Sequence, residues 1–364
     1  MSIGLRLHDA QGTNTKERAD SARAQGFLSA QVALAYNYGP QAIEPAALTP
    51  GFAHRVRRDT QGLDVSVLGC YLNLAHPDPA TYEHLLATYV AHLRFSRWLG
   101  AGVVGTETGN PNAEYRYEPG RSHTQESLQL FIDRLHPVID AAEKLGAVLA
   151  LEPVYTHIVS DAKRLRYVLD TVRSPNLMVI LDPVNLLHGD NIARRDAVID
   201  EALELLLCDT AALHIKSYYM EEGRVKSAPA GQGEMDYLPI FKRIVPHKPH
   251  IDLLLENTTP DTAPAALAYV RQQWLEAGGE VFSARSQRGS EAWYGAGYSQ
   301  KSRMGTALTN QTGGVPWKSP ASIPLPPCLH PKRTAAIPCA FHSWTDVLRK
   351  GMILMMHAVR LRMP

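Results

Sequence analysis

No run of 18 or more apolar residues occurs anywhere in the chain, so nothing in it reads as a membrane span. The N-terminal stretch Met1–His8 has no basic segment followed by a long apolar one. No signal peptide is therefore expected, and the setting is read as cytoplasmic. The four cysteines, Cys70, Cys208, Cys328 and Cys339, contain no CxxC pair. That spacing points neither to a zinc knuckle nor to a dense disulfide framework, and reduced thiols are expected. Charge of one sign is also lacking. A formal net charge of +1 gives no global affinity for nucleic acid.

What is present suits a soluble globular protein: 45% hydrophobic and 20% charged residues in 364 can bury one large core or two modest ones. The near-zero net charge hides an asymmetry. Beyond residue 284 there are eleven Lys or Arg and two acids, Glu291 and Asp346, which leaves 26 basic and 34 acidic residues before it. Texture changes at the same place, into Ser, Gly and Pro without regular periodicity. The chain is accordingly divided into a first domain, residues 1–284, and a basic, irregular extension, residues 285–364. In the extension only Ser343–Arg362 has an apolar side, set beside Arg349, Lys350, Arg360 and Arg362. A poorly ordered appendage is expected there, with a membrane-surface or partner helix as the alternative.

Residues 1–284 alternate short β-type runs with longer amphipathic segments. The runs are Ile3–His8, Ser29–Ala35, Val65–Leu74, Gly102–Glu107, Ala147–Glu152, Leu177–Asp182, Ala211–Lys216 and Ile251–Glu256. Between them, Thr81–Leu99, Thr124–Leu145, Asp161–Val172, Asp190–Leu207 and Ala263–Leu275 repeat apolar residues at three- and four-residue spacing. Strict alternation implies parallel strands joined by crossovers, and eight units in about 280 residues is the size of a closed (β/α)₈ barrel. An open doubly wound sheet would carry a Gly-rich phosphate turn after its first strand, where His8-Asp9-Ala10-Gln11-Gly12 stands instead. Local punctuation bounds several helices. Ser122-x-x-Gln125 reads as a capping box, Gly146 as a left-handed helix stop, and Ser174-Pro175 as a helix end.

Four consecutive strands end in ionisable residues. Ala147–Leu151 runs into Glu152, Leu177–Leu181 into Asp182, Ala211–Leu213 into His214, and Ile251–Leu255 into Glu256. A carboxylate at the end of a strand buried on both faces is costly unless it is paired or coordinated. One such residue is commonly a cap or an ion-pair partner. Four from neighbouring strands, at the barrel end where chemistry is built, indicate one shared cation. Three oxygens and an imidazole suit a single divalent metal ion, with Mn²⁺ favoured and Mg²⁺, Co²⁺ or Zn²⁺ as alternatives.

The segments Glu152-Pro153, Asp182-Pro183-Val184-Asn185, His214-Ile215-Lys216, Gly231–Asp236 and Leu255-Glu256-Asn257 resemble the xylose-isomerase-like TIM barrel superfamily, the sugar phosphate isomerases and epimerases. The resemblance spans roughly residues 1–280. It implies metal ligation by Glu152, Asp182, His214 and Glu256, with the two glutamates also acting as the catalytic bases. It further implies isomerisation or epimerisation of a small sugar or polyol by proton transfer next to a carbonyl. Many epimerases of the family carry a histidine three residues after the strand-six aspartate; this chain has Asn185, with His188 three further on. His8, His76, Glu107, His157, Asn185, His188 and Lys216 are candidate substrate contacts. No Gly-rich phosphate loop follows strands seven or eight, so an unphosphorylated substrate is expected. A metal-dependent sugar or inositol dehydratase or lyase would use the same site and stands as the alternative, as does a non-catalytic barrel. A nuclease of this fold would need a trimetal cluster with many more histidines, and the acidic barrel segment is ill suited to DNA. Self-association is left open.

Overall fold

The computed structural model describes residues 1–281; the boundary at 284 and the helix expected at 343–362 lie outside the described residues. Eight strands close into a parallel barrel: β1 Ser2–Arg6, β2 Ser29–Ala33, β3 Asp64–Gly69, β4 Val103–Glu107, β5 Leu149–Glu152, β6 Leu177–Leu181, β7 Thr210–Ile215 and β10 Asp252–Leu255. Between β7 and the last barrel strand, β8 Ser217–Glu221 and β9 Arg224–Ala228 form a separate antiparallel hairpin. Closure is made by β1 pairing with β10 in register Ser2↔Asp252 to Leu5↔Leu255. That pairing excludes an open doubly wound sheet, which leaves both edges unpaired. Strands 1 to 3 stop earlier than their apolar runs suggest. The chain turns into a 3₁₀ segment at Leu7–Asp9 and a short helix at Leu34–Tyr38, and leaves β3 at Gly69.

Each barrel strand leads into an outer helix: α1 Thr15–Gln25, α2 Pro50–Asp59, α3 Pro79–Leu99, α4 Gln125–Leu145, α5 Ala162–Val172, α6 Arg195–Leu206, α7 Leu238–Ile244 and α8 Ala263–Glu276. Their starts follow side-chain chemistry. Asp78, Thr124 and Asp161 accept hydrogen bonds from Thr81 N, Ser127 N and Arg164 N at 2.7, 3.2 and 2.9 Å. The α4 cap is thus Thr124. Ser122 sits in a short preceding turn and donates no box; its hydroxyl instead accepts from Glu118 N at 3.0 Å. Gly146 ends α4 in the left-handed region at φ 61°, as expected. Helix α5 ends one residue ahead of Ser174-Pro175, because Arg173 itself turns left-handed at φ 55°.

Two apolar layers result. The larger lies between barrel and helices and takes the outward strand residues, such as Leu5, Leu151, Val179, Leu213 and Leu255, together with the inner faces of the helices. The smaller fills the barrel itself and consists of Val67, Val103, Ala150, Ile180, Ala212 and Leu254. Because side chains alternate along a strand, this small set marks which positions face the axis. Residues at even steps from it on β5, β6, β7 and β10 also point inward, and Glu152, Asp182, His214 and Glu256 each stand two residues beyond a member of it.

On β4 the inward position between Val103 and Glu107 is Gly105. A Cβ there would meet Val67 Cγ1 at 2.6 Å and Ile180 Cδ1 at 2.7 Å, closer than packed atoms approach, so the axis has no room for a methyl group. Gly105→Ala is expected to cost about 1–3 kcal/mol through overpacking. The check is urea unfolding of the variant, with a lowered midpoint at unchanged slope; an unmoved midpoint would mean that Val67 and Ile180 yield freely.

Candidate metal centre

Glu152, Asp182, His214 and Glu256 are all buried, and one ligand atom from each lies within 4.8 Å of the others. The shared inward parity of four adjacent strands produces this convergence. The imidazole sits between two of the carboxylates, with His214 Nδ1 3.1 Å from Glu152 Oε1 and 3.4 Å from Glu256 Oε1. Asp182 is oriented by its own backbone. Its Oδ1 accepts from Val184 N at 2.8 Å and from Asn185 N at 3.3 Å, a tight turn after Pro183. That turn carries the Asn185 side chain back over the barrel, where its Nδ2 donates to Glu152 Oε1 at 2.7 Å.

Lys216, two residues beyond His214 on the same inward face, closes the circuit. Its ammonium lies 2.8 Å from Asp182 Oδ2 and 3.2 Å from Glu256 Oε2, and it donates to Asn185 Oδ1 at 2.7 Å. The Asn185 amide therefore has one possible orientation, oxygen to lysine and nitrogen to glutamate. Electrostatics follow from this packing. Burial pushes the Asp182 pKa up, against the charge of Lys216, to about 6. For Glu256 burial is outweighed by His214, Lys216 and Arg6, and the pKa falls to about 2. Burial alone would lower His214 and Lys216, but the surrounding carboxylates raise both, His214 to about 9.

The donor set fits a divalent cation. Three carboxylates and one lysine sum to −2, which one such ion neutralises while His214 binds as the neutral imidazole. The remaining candidates are placed around this centre at different distances. Glu107 stands directly opposite Glu152 in the β4–β5 register and accepts a hydrogen bond from Tyr115 Oη at 3.0 Å. His157 is buried with its Nδ1 3.7 Å from the same Glu107 oxygen. His8 stacks on Tyr36, ring centres 4.6 Å apart, and its Nε2 is 3.7 Å from Asp9. His188 stacks on Tyr155 at 3.7 Å and borders a separate cavity of about 410 Å³. His76 accepts from Asp78 N at 3.2 Å, in the turn ahead of α3. No direct contact joins His8, His76 or His188 to the four ligands among the described residues.

Three residues not singled out from sequence also reach the centre. Arg6 lies 3.9 Å from Glu256 Oε1 while donating to Asp9 at 2.9 Å. Tyr71, its ring against Gly69, accepts from Gln31 Nε2 at 2.9 Å; burial first, and then Glu152, Glu256 and Glu107, hold its phenol protonated. Tyr115 completes the set. A parity argument would have found Arg6 and Gln31, since each is a polar residue at an inward strand position. Tyr71 and Tyr115 belong to loops and carry no such mark.

Comparison with known proteins gives a consistent picture. A family model described as the xylose isomerase-like TIM barrel matches residues 32–277, which include Glu152, Asp182, His214 and Glu256. Among solved structures, the 3-keto-D-glucoside 4-epimerase YcjR from E. coli shares 17% identity at a TM-score of 0.57, over 75% of this chain and 99% of that one. The D-psicose 3-epimerase from Clostridium cellulolyticum H10, solved with D-tagatose, shares 15% at 0.55, over 75% and 99%. The probable 3-DHS dehydratase AsbF from Bacillus anthracis shares 15% at 0.57, over 74% and 99%. At such identities the likeness is one of fold. No curated protein matches the chain.

The raised pKa of His214 predicts how the protein behaves once stripped of metal by a chelator. With a folded pKa of about 9 against an ordinary value of 6.5, its contribution is full below pH 6.5 and is lost as the pH rises through 9. Stability should fall across that window by an amount on the order of 3 kcal/mol. Urea midpoints measured from pH 6 to 9.5 test this, with His214→Gln expected to flatten the profile. A stripped protein whose midpoint rises across the window would contradict the assignment.

Proposed function

The chain belongs to the xylose isomerase-like TIM barrel family, and on that premise we propose that it is a divalent-metal-dependent isomerase or epimerase of a small sugar or polyol. The observation that carries the reading is the convergence of Glu152, Asp182, His214 and Glu256 at the C-terminal ends of four neighbouring barrel strands, buried and with ligand atoms within 4.8 Å. These four residues would hold the ion, Mn²⁺ being favoured for an oxygen-rich set that includes one imidazole. A divalent ion bound there supplies Lewis-acid polarisation of a carbonyl and its neighbouring hydroxyl.

The protein's own groups then divide the proton work. Glu152 and Glu256 approach from different strands and flank the centre, so each can serve one face of a carbon next to the carbonyl. Glu152 Oε1 is occupied by Asn185 and His214, which leaves Oε2 as the oxygen able to take a substrate proton. Glu256 Oε2 is similarly occupied by Lys216. Asn185 cannot titrate and takes no part in proton transfer. Its amide fixes the carboxylate of Glu152 and links it to Lys216, so the geometry of one base depends on the charge partner of the other.

Replacement of either base tests ligand and catalyst together. Glu152→Gln or Glu256→Gln removes a negative ligand and a proton acceptor together, so turnover should fall by at least 10³-fold, an order-of-magnitude expectation for a lost general base with an added ligand defect. Metal content should fall with it. The reaction class itself is tested in D₂O. Metal-loaded protein incubated with free ketohexoses and keto-inositols should incorporate deuterium at one carbon, with mass otherwise unchanged. Loss of one water would establish a dehydratase, and absence of exchange despite bound metal would remove carbonyl-adjacent proton transfer on these substrates.

A further inference from the structure

Beside Glu152, on the adjacent strand β4 and in the loops that follow β4 and β5, Glu107, Tyr115 and His157 form a polar cluster that the proton chemistry does not use. The Glu107 carboxylate stands opposite Glu152 in the strand register and takes a hydrogen bond from Tyr115 Oη at 3.0 Å. His157 is 9% exposed, and its buried Nδ1 finds no hydrogen-bond partner, lying 3.7 Å from Glu107 Oε2. A buried imidazole nitrogen without a partner is costly unless something else supplies one. Burial lowers His157 to about pKa 4, against the charge of Glu152, so the ring is neutral and offers one donor and one acceptor. Burial likewise raises Glu107, with the Tyr115 bond opposing it. The carboxylate is left able to accept further donors.

The cluster is prebuilt. Asn73 holds the β4 loop by accepting from Asn110 N at 3.1 Å and donating to Asn112 O at 2.8 Å. Gly109 is required beneath it, since at φ 75° a Cβ would meet Asn73 Oδ1 at 2.3 Å. Asn112 in turn pins Arg116 through both its amide atoms, and Tyr115 is held at φ 54°, a region a tyrosine enters only when its surroundings compel it. The loop after β5 is tied to the same frame, with Ile158 N donating to Gly109 O and Val159 N to Thr108 Oγ1, both at 3.0 Å. Neighbouring charge settles what such a cluster prefers. The two cations beside the ligand set are already engaged, Arg6 by Asp9 and Glu256, Lys216 by Asp182 and Glu256.

We propose that Glu107, Tyr115 and His157 form the subsite that grips two adjacent, non-reacting hydroxyl groups of a neutral substrate, and that this subsite disfavours sugar phosphates and other anionic sugars. A carboxylate accepts from two neighbouring hydroxyls, and the imidazole nitrogen serves one of them. A phosphate or carboxylate in the same place would face Glu107, with which no Lys or Arg is paired among the described residues. The inference rests on the sugar-enzyme reading and narrows it to a neutral polyhydroxylated substrate.

Calorimetric titration of the metal-loaded full chain tests it, with free ketohexoses and a keto-inositol, their deoxy analogues, and ketohexose 6-phosphates as probes. Neutral sugars should bind at least 10-fold more tightly than the 6-phosphates. Deletion of one particular hydroxyl should weaken binding about 10- to 100-fold in the wild-type protein and hardly at all in Glu107→Gln, the coupling expected of a direct contact. Tyr115→Phe and His157→Gln should show smaller losses, with metal content unchanged, and they serve if Glu107→Gln does not fold. A 6-phosphate that binds as tightly as the neutral sugar overturns the proposal, and so does a deoxy penalty that persists in Glu107→Gln. Deuterium exchange separates this failure from that of the broader reading. Exchange that survives in variants with unaltered affinity would sink the subsite alone, whereas a metal-loaded protein that binds and exchanges no sugar would sink both.

Discussion

Mutual repulsion among buried carboxylates is the constraint on which the rest of the architecture turns. Glu152, Asp182 and Glu256 bring three negative charges within 4.8 Å of one another. At an effective dielectric of about 20, two unit charges at that spacing repel by on the order of 3 kcal/mol, before the cost of removing each from water. Such a site persists only where positive charge is supplied at its centre. Without a metal, Lys216 and protonated His214 supply part of it; a divalent ion would take the place of the His214 proton and complete the balance. The same arithmetic explains why Asp182 and Glu256, both buried carboxylates in one cluster, shift in opposite directions. Asp182 retains the desolvation penalty, while Glu256 faces three cations, His214, Lys216 and Arg6.

Holding repelling groups together demands a rigid frame, and the closed barrel is one. Each ligand stands on the inward face of its strand or on the first residue after it, anchored two positions beyond a packed interior residue. The barrel interior tolerates no added methyl at Gly105, so its contents cannot shift to relieve the charge. Above this frame the loops act as a second shell of hydrogen bonds. The turn at Pro183 returns Asn185 to Glu152, and Asn73 and Asn112 fix the loop that carries Tyr115. Loops are ordinarily the adaptable part of this fold; here the ones beside the centre are tied to one another by side-chain amides.

The barrel mouth is consequently asymmetric. The side formed by β5, β6, β7 and β10 carries the four candidate ligands and Lys216, whereas among the described residues no Lys or Arg is paired with Glu107, Tyr115 or His157 beside it. The proposed metal chemistry and the proposed grip on hydroxyl groups would therefore sit side by side, on adjacent strands.

Much of this was legible in the sequence, and the reason is local. Strand and helix periodicity, the left-handed stop at Gly146, and the cost of ending a buried strand in a charge all depend on residues adjacent in the chain. They were enough to indicate a barrel of eight units and four ligands on consecutive strands. Even so, the helix cap at Thr124 and the left-handed stop at Arg173 show that boundaries one or two residues apart are decided by packing. What only the tertiary structure decided are the relations between segments distant in sequence. The Asn185 amide links Glu152 and Lys216 across three strands. Arg6 reaches Glu256, far along the chain, because the first strand pairs with the last, Ser2 standing beside Asp252. Seven strand-end or loop residues looked alike as candidates from sequence alone: His8, His76, Glu107, His157, Asn185, His188 and Lys216. The tertiary structure then sent Lys216 and Asn185 to the candidate ligands, Glu107 and His157 to a cluster beside Glu152, and His8, His76 and His188 to stacks and turns of their own. Parity along a strand fixes which way a side chain points, but the path of a loop is set by the hydrogen bonds that receive it, and those partners come from elsewhere in the chain.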